Sequence, residues 1–292
     1  MTDTEVQTSG NAILVAFAFL LLSFGIRLVD IFVLRLDETP FSIITSKVIP
    51  IILILIYLRY INRSVAEVGV HTSKLWLSII FGILLFIVFD GLQIIIDIIM
   101  MIIVGAQPTF ALTQVDAFLT TYLLGFYIIN SFMEEGLFRG LMMRQFMTKM
   151  SANKANLLQS VLFGLWHIVW PIKLYITGGI DFPGFVGYAF QYVFVTFISG
   201  LVFGYMYQKS NSIIGPVVMH TIHNLFVRFI VIDMLAPEAY NTMGVLIVSF
   251  LLIPIAIIVT VFTIRKFTKW AKQPEIVSWN QADHRIIGSS IQ

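Results

Sequence analysis

Apolar residues in this chain fall in successive blocks of about 20, the length at which an α-helix crosses roughly 30 Å of hydrocarbon. Lipid offers no hydrogen bonds, so every backbone N–H and C=O in such a block must be satisfied within the protein. Helices packed side by side meet that demand and open sheets do not. Of 292 residues, 58% are hydrophobic and 12% charged, too few charges to cover a water-facing surface. An all-α, polytopic transmembrane helical bundle is therefore expected. It forms a single membrane domain over 1–292, with short connections and a polar cytoplasmic tail at 271–292. Eight spans can be drawn: 12–35, 41–61, 75–104, 118–147, 155–171, 185–207, 212–232 and 243–265. The third and fourth exceed what a bilayer requires, so tilt, a break or an overhang is expected in each.

Net charge is only +2, and the placement of basic residues says more than their sum. With eight spans, one side carries Arg59, Arg63, Lys74, Arg139, Arg144, Lys149, Lys154, Lys209, Arg265, Lys266, Lys269, Lys272 and Arg285. The other carries Arg35 and Lys173, while Arg27, Lys47 and Arg228 fall inside spans. By the positive-inside rule both termini are cytoplasmic. The opening MTDTEVQTSG holds no Lys or Arg, unlike a secretory n-region, so the first block reads as a retained span. Absence of cysteine excludes disulfides, thiolate metal sites and thiol nucleophiles. The expected setting is a lipid bilayer, with no nucleic-acid partner.

Ionisable side chains are costly inside a membrane and are functional candidates by default, with structural pairing as the alternative. The fourth span contains Glu134, Glu135 and Arg139. Adjacent helical residues point about 100° apart, so the two carboxylates cannot share one partner. Glu135 and Arg139 stand at i and i+4 with the acid first, the favourable order for an ion pair. Glu134 is then left unpaired and free to act as a base, unless all three anchor the helix in the headgroup zone. In the fifth span Phe163 and His167 share a face, near Trp166 and Trp170. A histidine among aromatics is either packing or chemistry, and burial in lipid favours the second. His220 and Asn224 stack at i and i+4 on the seventh span, with Arg228 one turn further and His223 displaced around the helix. Inter-helical hydrogen bonding is the plain alternative there.

Counted from the basic ends at about 1.5 Å per residue, Glu134 lies roughly 5–10 Å deep, His220 roughly 12 Å, and His167 and Asn224 roughly 18 Å. The four can share one cavity in the cytoplasmic half. A carboxylate buried in apolar surroundings becomes a better proton acceptor near neutral pH. A histidine and an asparagine can donate to the oxyanion of a tetrahedral intermediate. Neither H-E-x-x-H nor G-x-S-x-G occurs, which removes zincin helices and serine elbows. Asp90 and Asp97 sit on one face of the third span, but paired aspartates normally come from two helices, so a structural or gating role is expected. Gly200 and Gly204 read as close helix packing. The Arg27 and Asp30 pair and Lys47 read as structural or gate-lining.

Together, E-E-x-x-x-R at Glu134, Glu135 and Arg139, F-x-x-x-H at Phe163 and His167, and H-x-x-x-N at His220 and Asn224 resemble the motifs of the CAAX protease and bacteriocin-processing family, also called Abi. The type II CAAX prenyl endopeptidases belong to that family. The likeness covers roughly 118–232, the catalytic motif core. It implies a glutamate-dependent intramembrane endopeptidase acting on a peptide or membrane-associated protein from the cytoplasmic side. Glu134, assisted by His167, would activate water, and His220 and Asn224 would hold the oxyanion; Glu135, Arg139 and Phe163 would support them. Glu134, His167 and His220 also have the composition of an open zinc site. They suit metal-free water activation equally, and no tightly bound metal is the expectation adopted. The same resemblance allows a non-catalytic scaffold or a bacteriocin immunity or regulatory protein. A multi-pass protein of a bacterial cell membrane is expected in either case.

Overall fold

The computed structural model describes residues 11–39, 43–71, 73–103, 108–113, 115–234 and 243–279. Helix α1 covers Ala12–Leu28 and runs on as a π-helical segment, Val29–Val33. A 3-10 turn at Leu36–Glu38 leads to α2, Thr45–Tyr60. The third apolar block consists of α3, Leu75–Leu85, a π segment at Phe86–Asp90, and α4, Gly91–Ile103. Strand β1, Pro108–Leu112, precedes α5, Ala117–Glu135, which passes through a long π segment, Gly136–Met143, into α6, Arg144–Met147. Next come α7, Ala152–Trp166, α8, Val169–Ile176, and α9, Phe182–Ser210. The chain closes with α10, Ile214–Phe229, strand β2, Ile230–Met234, and α11, Met243–Trp270.

The fold is all-α apart from one two-stranded antiparallel ribbon, in which Pro108 pairs with Met234 and Leu112 with Ile230. The ribbon corrects the seventh span, drawn to residue 232. The helix ends at Phe229, where Ile230, Val231 and Ile232 bring β-branched side chains that favour extended backbone. The fifth block is also interrupted, at His167, between α7 and α8. Among the described residues four helices are long and apolar enough to cross a membrane: Ala12–Val33, Leu75–Ile96, Ala152–Ile176 and Phe182–Ser210. Leu21, Ile56, Ile87, Phe190 and Phe262 are among many large apolar side chains left exposed, which a bilayer covers and water would not.

By packing, the chain groups into two compact units. The first takes in Met1–Thr72, Phe132–Ile213 and Pro274–Gln292; the second, Ser73–Ser131 and Ile214–Gln273. One division falls inside α5, in continuous apolar helix, where no linker or change of composition announces it.

In the first unit α7 and α9 are in close contact. A Cβ on Gly200 would stand 3.1 Å from both Cα and Cβ of Ser160. A Cβ on Gly204 would lie 1.8 Å from Asn156 Oδ1 and 2.6 Å from Gln159 Nε2. That approach lets Asn156 Nδ2 donate to Leu201 O at 3.1 Å and Gln159 Nε2 to Gly200 O at 3.1 Å. The tail, read from sequence as simply polar, packs in its described part. Ile276 N donates to Gln208 O at 2.9 Å, Arg144 Nη1 donates to Val277 O at 2.5 Å, and Trp279 lies 4.8 Å from the Arg63 guanidinium.

In the second unit Phe81 stacks on Phe267 with ring centroids 4.8 Å apart. A Cβ on Gly82 would meet Gly215 O at 2.5 Å, so α3 and α10 approach backbone to backbone. Replacing Gly204 with Ala should displace Asn156, break its bond to Leu201 and lower stability by about 1–3 kcal/mol. Thermal unfolding in detergent checks this, and an unchanged midpoint would contradict it.

Candidate active site

Around Glu134 the first unit buries Arg27, Lys47 and Arg139 with Asp30, Glu134 and Glu135, each 2% exposed or less, while a fourth buried cation, Arg144, lies apart against Tyr207. An ion taken out of water costs several kcal/mol even after relaxation unless a partner compensates it. Equal numbers of each sign make the cluster tolerable within apolar helices.

Glu134, at the end of α5, is the hub, and it is not the unpaired carboxylate expected from its sequence position. Lys47 Nζ donates to its Oε1 at 2.9 Å, Trp166 Nε1 donates to the same oxygen at 3.3 Å, and Arg27 Nη1 stands 3.8 Å away. The Arg27 guanidinium lies over Trp166 at 4.6 Å and Trp170 at 5.6 Å, so aromatic faces share the cation with the carboxylate. Arg27 and Asp30 do not form the expected pair. Asp30 instead accepts the Ser46 backbone N–H at 2.7 Å, which fixes the start of α2 and hence Lys47.

Glu135 and Arg139 meet at 3.2 Å. Both are fully buried, so neither is a headgroup anchor, and Arg139 leaves the count of basic residues at the cytoplasmic surface. The second arm of Arg139 reaches Gly200 O at 3.3 Å, and its guanidinium lies over Phe163 at 4.2 Å. The π segment begins directly after Glu135. Each of the three π segments contains an ionisable residue, Asp30, Asp90 or Arg139, in keeping with the concentration of π-bulges at functional positions.

His167 caps the C-terminus of α7 in a turn, and its ring stays beside Phe163 as their spacing predicts. Its Nδ1 lies 2.8 Å from Phe163 O. A carbonyl only accepts, so Nδ1 carries the proton and Nε2 presents its lone pair. That Nε2 faces Glu134 Oε2 at 3.8 Å. Phe163 packs on the imidazole at 4.7 Å and Tyr192 at 5.9 Å, both edge to face.

His220 and Asn224 belong to the second unit, one turn apart on α10, the first buried and the second half-buried. His223 Nδ1 is 2.5 Å from Asp90 Oδ1. Asp90 thus has an imidazole partner on another helix; the Asp97 side chain lies outside the described residues. Among the described residues no three His, Asp or Glu side chains converge on one point. Glu134 Oε1 is held by the Lys47 ammonium with the Arg27 guanidinium behind it, which already supplies the carboxylate with positive charge. The donor set does not fit the zinc site that its composition suggested, and no metal step is drawn.

At the far end of α8, Lys173 binds Asp37 and, at 3.0 Å, Glu38, which Arg35 also contacts at 2.9 Å. The Lys173 hydrogen bond, with Arg35 beside it, holds the Glu38 carboxyl below the ordinary range. A cleft of about 370 Å³ lies next to this cluster, lined by Trp170, Leu174, Tyr188 and Tyr192 among others.

Apolar spanning helices around a buried, charge-balanced cluster define an integral membrane protein with a polar site inside its helices. Residues 116–226 match the family model "Type II CAAX prenyl endopeptidase Rce1-like", so this part of the chain is similar to an intramembrane CAAX-type endopeptidase. No curated protein and no solved structure gives a significant match. Sequence reasoning missed Lys47, Arg27 and Trp166 as parts of the Glu134 site. The available signal was that two cations deep in separate apolar spans need an anion, and Glu134 was the carboxylate without an assigned partner.

Lys47→Met should cost about 3–5 kcal/mol, because it strips the nearest cation from a buried carboxylate. Adding Glu134→Gln should recover much of that loss. Unfolding of both variants in mixed micelles checks the coupling; equal losses would show that Lys47 and Glu134 do not depend on each other.

Proposed function

We propose that the chain is a glutamate-dependent intramembrane endopeptidase of a bacterial cell membrane, multi-pass, cleaving a peptide or membrane-associated protein. The observation that carries this reading is the pair of acceptors, Glu134 Oε2 and His167 Nε2, 3.8 Å apart, while the other Glu134 oxygen is clamped by Lys47. Two acceptors at that separation cannot bond to each other. A water donating one hydrogen to each is aligned and polarised for attack on a carbonyl.

The water oxygen bonds to the scissile carbonyl carbon as its proton passes to Glu134. In the family motifs that this chain resembles, His220 and Asn224, one turn apart on α10, are the groups that would meet the negative charge developing on the carbonyl oxygen. Collapse of the tetrahedral intermediate breaks the C–N bond, and the proton held on Glu134 goes to the departing amine. Lys47, Arg27 and Trp166 hold the carboxylate so that Oε2 faces the imidazole. Glu135 and Arg139 fix the π segment behind it, and Phe163 sets both the ring face and the tautomer of His167.

A second reading draws on the same ion pair. A carboxylate held by a lysine ammonium is a weaker base, which favours a scaffold or immunity protein of this family that retains the motifs without the chemistry. Glu134→Gln separates the two. With wild-type membrane abundance, it should lower precursor cleavage by at least about 10²-fold if Glu134 is the base. Peptide profiling of cells should show the same precursor accumulating in Glu134→Gln and His167→Ala strains. Full retention of the cellular phenotype in both would establish the scaffold.

A further inference from the structure

We propose that the basic end of the first unit holds a peptide-binding site anchored by Arg144, in which residues 274–279 of the chain itself sit as a displaceable occupant. The ligand that the site is built for is a short non-helical peptide carrying a carboxylate. This goes beyond the protease reading and does not rest on it.

Arg144 carries the inference. Arg27, Lys47 and Arg139, buried in the same unit, each have a carboxylate beside them. Arg144 is 3% exposed, and among the described residues its partners are all neutral. Its Nε donates to Tyr207 Oη at 2.8 Å, its Nη1 to Val277 O at 2.5 Å, and its Nη2 to Asn211 Oδ1. Those acceptors satisfy the guanidinium's hydrogen bonds and leave its charge uncompensated, which is costly for a buried cation. A planar fork of donors matches a carboxylate better than it matches one carbonyl. Tyr207 and Asn211 are fixed, the first fully buried within α9 and the second closing that helix in the left-handed conformation. Val277 O comes instead from a segment that forms neither helix nor strand over 274–278, so its departure breaks no regular structure.

The segment is seated by few contacts. Ile276 N donates to Gln208 O at 2.9 Å, Trp279 lies 4.8 Å from the Arg63 guanidinium, and Ile276 and Trp279 are buried. Glu275 pairs with Lys209 at 2.6 Å but is 64% exposed, so that pair adds little. Trp279 Nε1 is buried without a protein acceptor among the described residues, a cost that a better-matched ligand avoids. Once the segment leaves, Arg144 and Lys209 both lose their partners in it, whereas Arg63 keeps Glu67 at 2.5 Å. The site is then positively charged at two points. A peptide with an acid where Glu275 stands and a carboxylate two residues later answers both.

Because the chain contains no cysteine, Ser278→Cys supplies a single thiol, buried while the segment is seated. Full-length protein in detergent is mixed with N-acetylated peptides, their affinity read by competition against a fluorescent copy and release of the segment by the rate of maleimide labelling. The peptides are Pro-Glu-Ile-Val as free acid, the same peptide as amide, and Pro-Glu-Ile-Glu-Ser as amide. The free acid should bind at least about tenfold tighter than its amide and speed labelling in proportion. The third peptide separates the two sources of a carboxylate, a side chain or a chain end. Ile276→Pro removes the N–H that bonds Gln208 and should tighten the binding of acid peptides by weakening the resident segment. Arg144→Gln should erase the preference for acid over amide, and Arg144→Lys, which keeps the charge without the fork, should retain part of it if the first variant does not fold. Equal affinity for acids and amide in both wild type and Ile276→Pro overturns the proposal. So does binding of an acid peptide that leaves the labelling rate unchanged.

Discussion

The buried carboxylate of Glu134, held by two cations from two other helices, is the interaction on which the first unit depends. Inside apolar helices a lone ion is untenable, so Glu134 requires Lys47 and Arg27 as much as they require it. That mutual need fixes the relative positions of α1, α2 and α5. Asp30 contributes indirectly by anchoring the first turn of α2 through Ser46. Trp166 serves both sides of the pairing, donating to the carboxylate at 3.3 Å and offering its ring face to Arg27 at 4.6 Å. The clamp on one carboxylate oxygen leaves the other aimed at His167, and the catalytic proposal follows from that asymmetry.

Departures from regular helix occur where polar groups had to be placed. The π segments at Val29–Val33 and Gly136–Met143 contain Asp30 and Arg139. The break after Trp166 frees the His167 backbone from the helical register and lets Nδ1 reach Phe163 O. Of these stretches, residues 137–143 are buried in protein, whereas Val29–Val33 buries only Asp30 and Ile31.

Much of this was legible in the sequence, though unevenly. Block length and residue type carry the helical class, because a bilayer accepts so few alternatives. The Glu135 and Arg139 pair and the close approach of Gly200 and Gly204 follow from spacing along a single helix, which sequence encodes directly. The partner of Glu134 did not follow, because it depends on which faces of α1 and α2 meet α5. No periodicity within one helix contains that information. The β ribbon and the arrest of α10 at Phe229 were hidden for another reason: Ile, Val and Ile serve equally well in an apolar helix and in a strand, so hydropathy cannot separate them. The match over 116–226 covers the motif core, whereas Lys47 and Arg27 lie upstream of it, in a part of the chain that the motifs leave blank.

Residues 274–279 have a consequence for biosynthesis. Their partners, Arg63, Arg144, Gln208 and Lys209, come from stretches made much earlier, and neither unit is continuous in the chain. The first unit therefore waits, with its basic end unsealed, until all of α11 has been translated. Closing that end joins segments far apart in the chain, so a protein cut after α11 would keep its helices and leave the first unit open there.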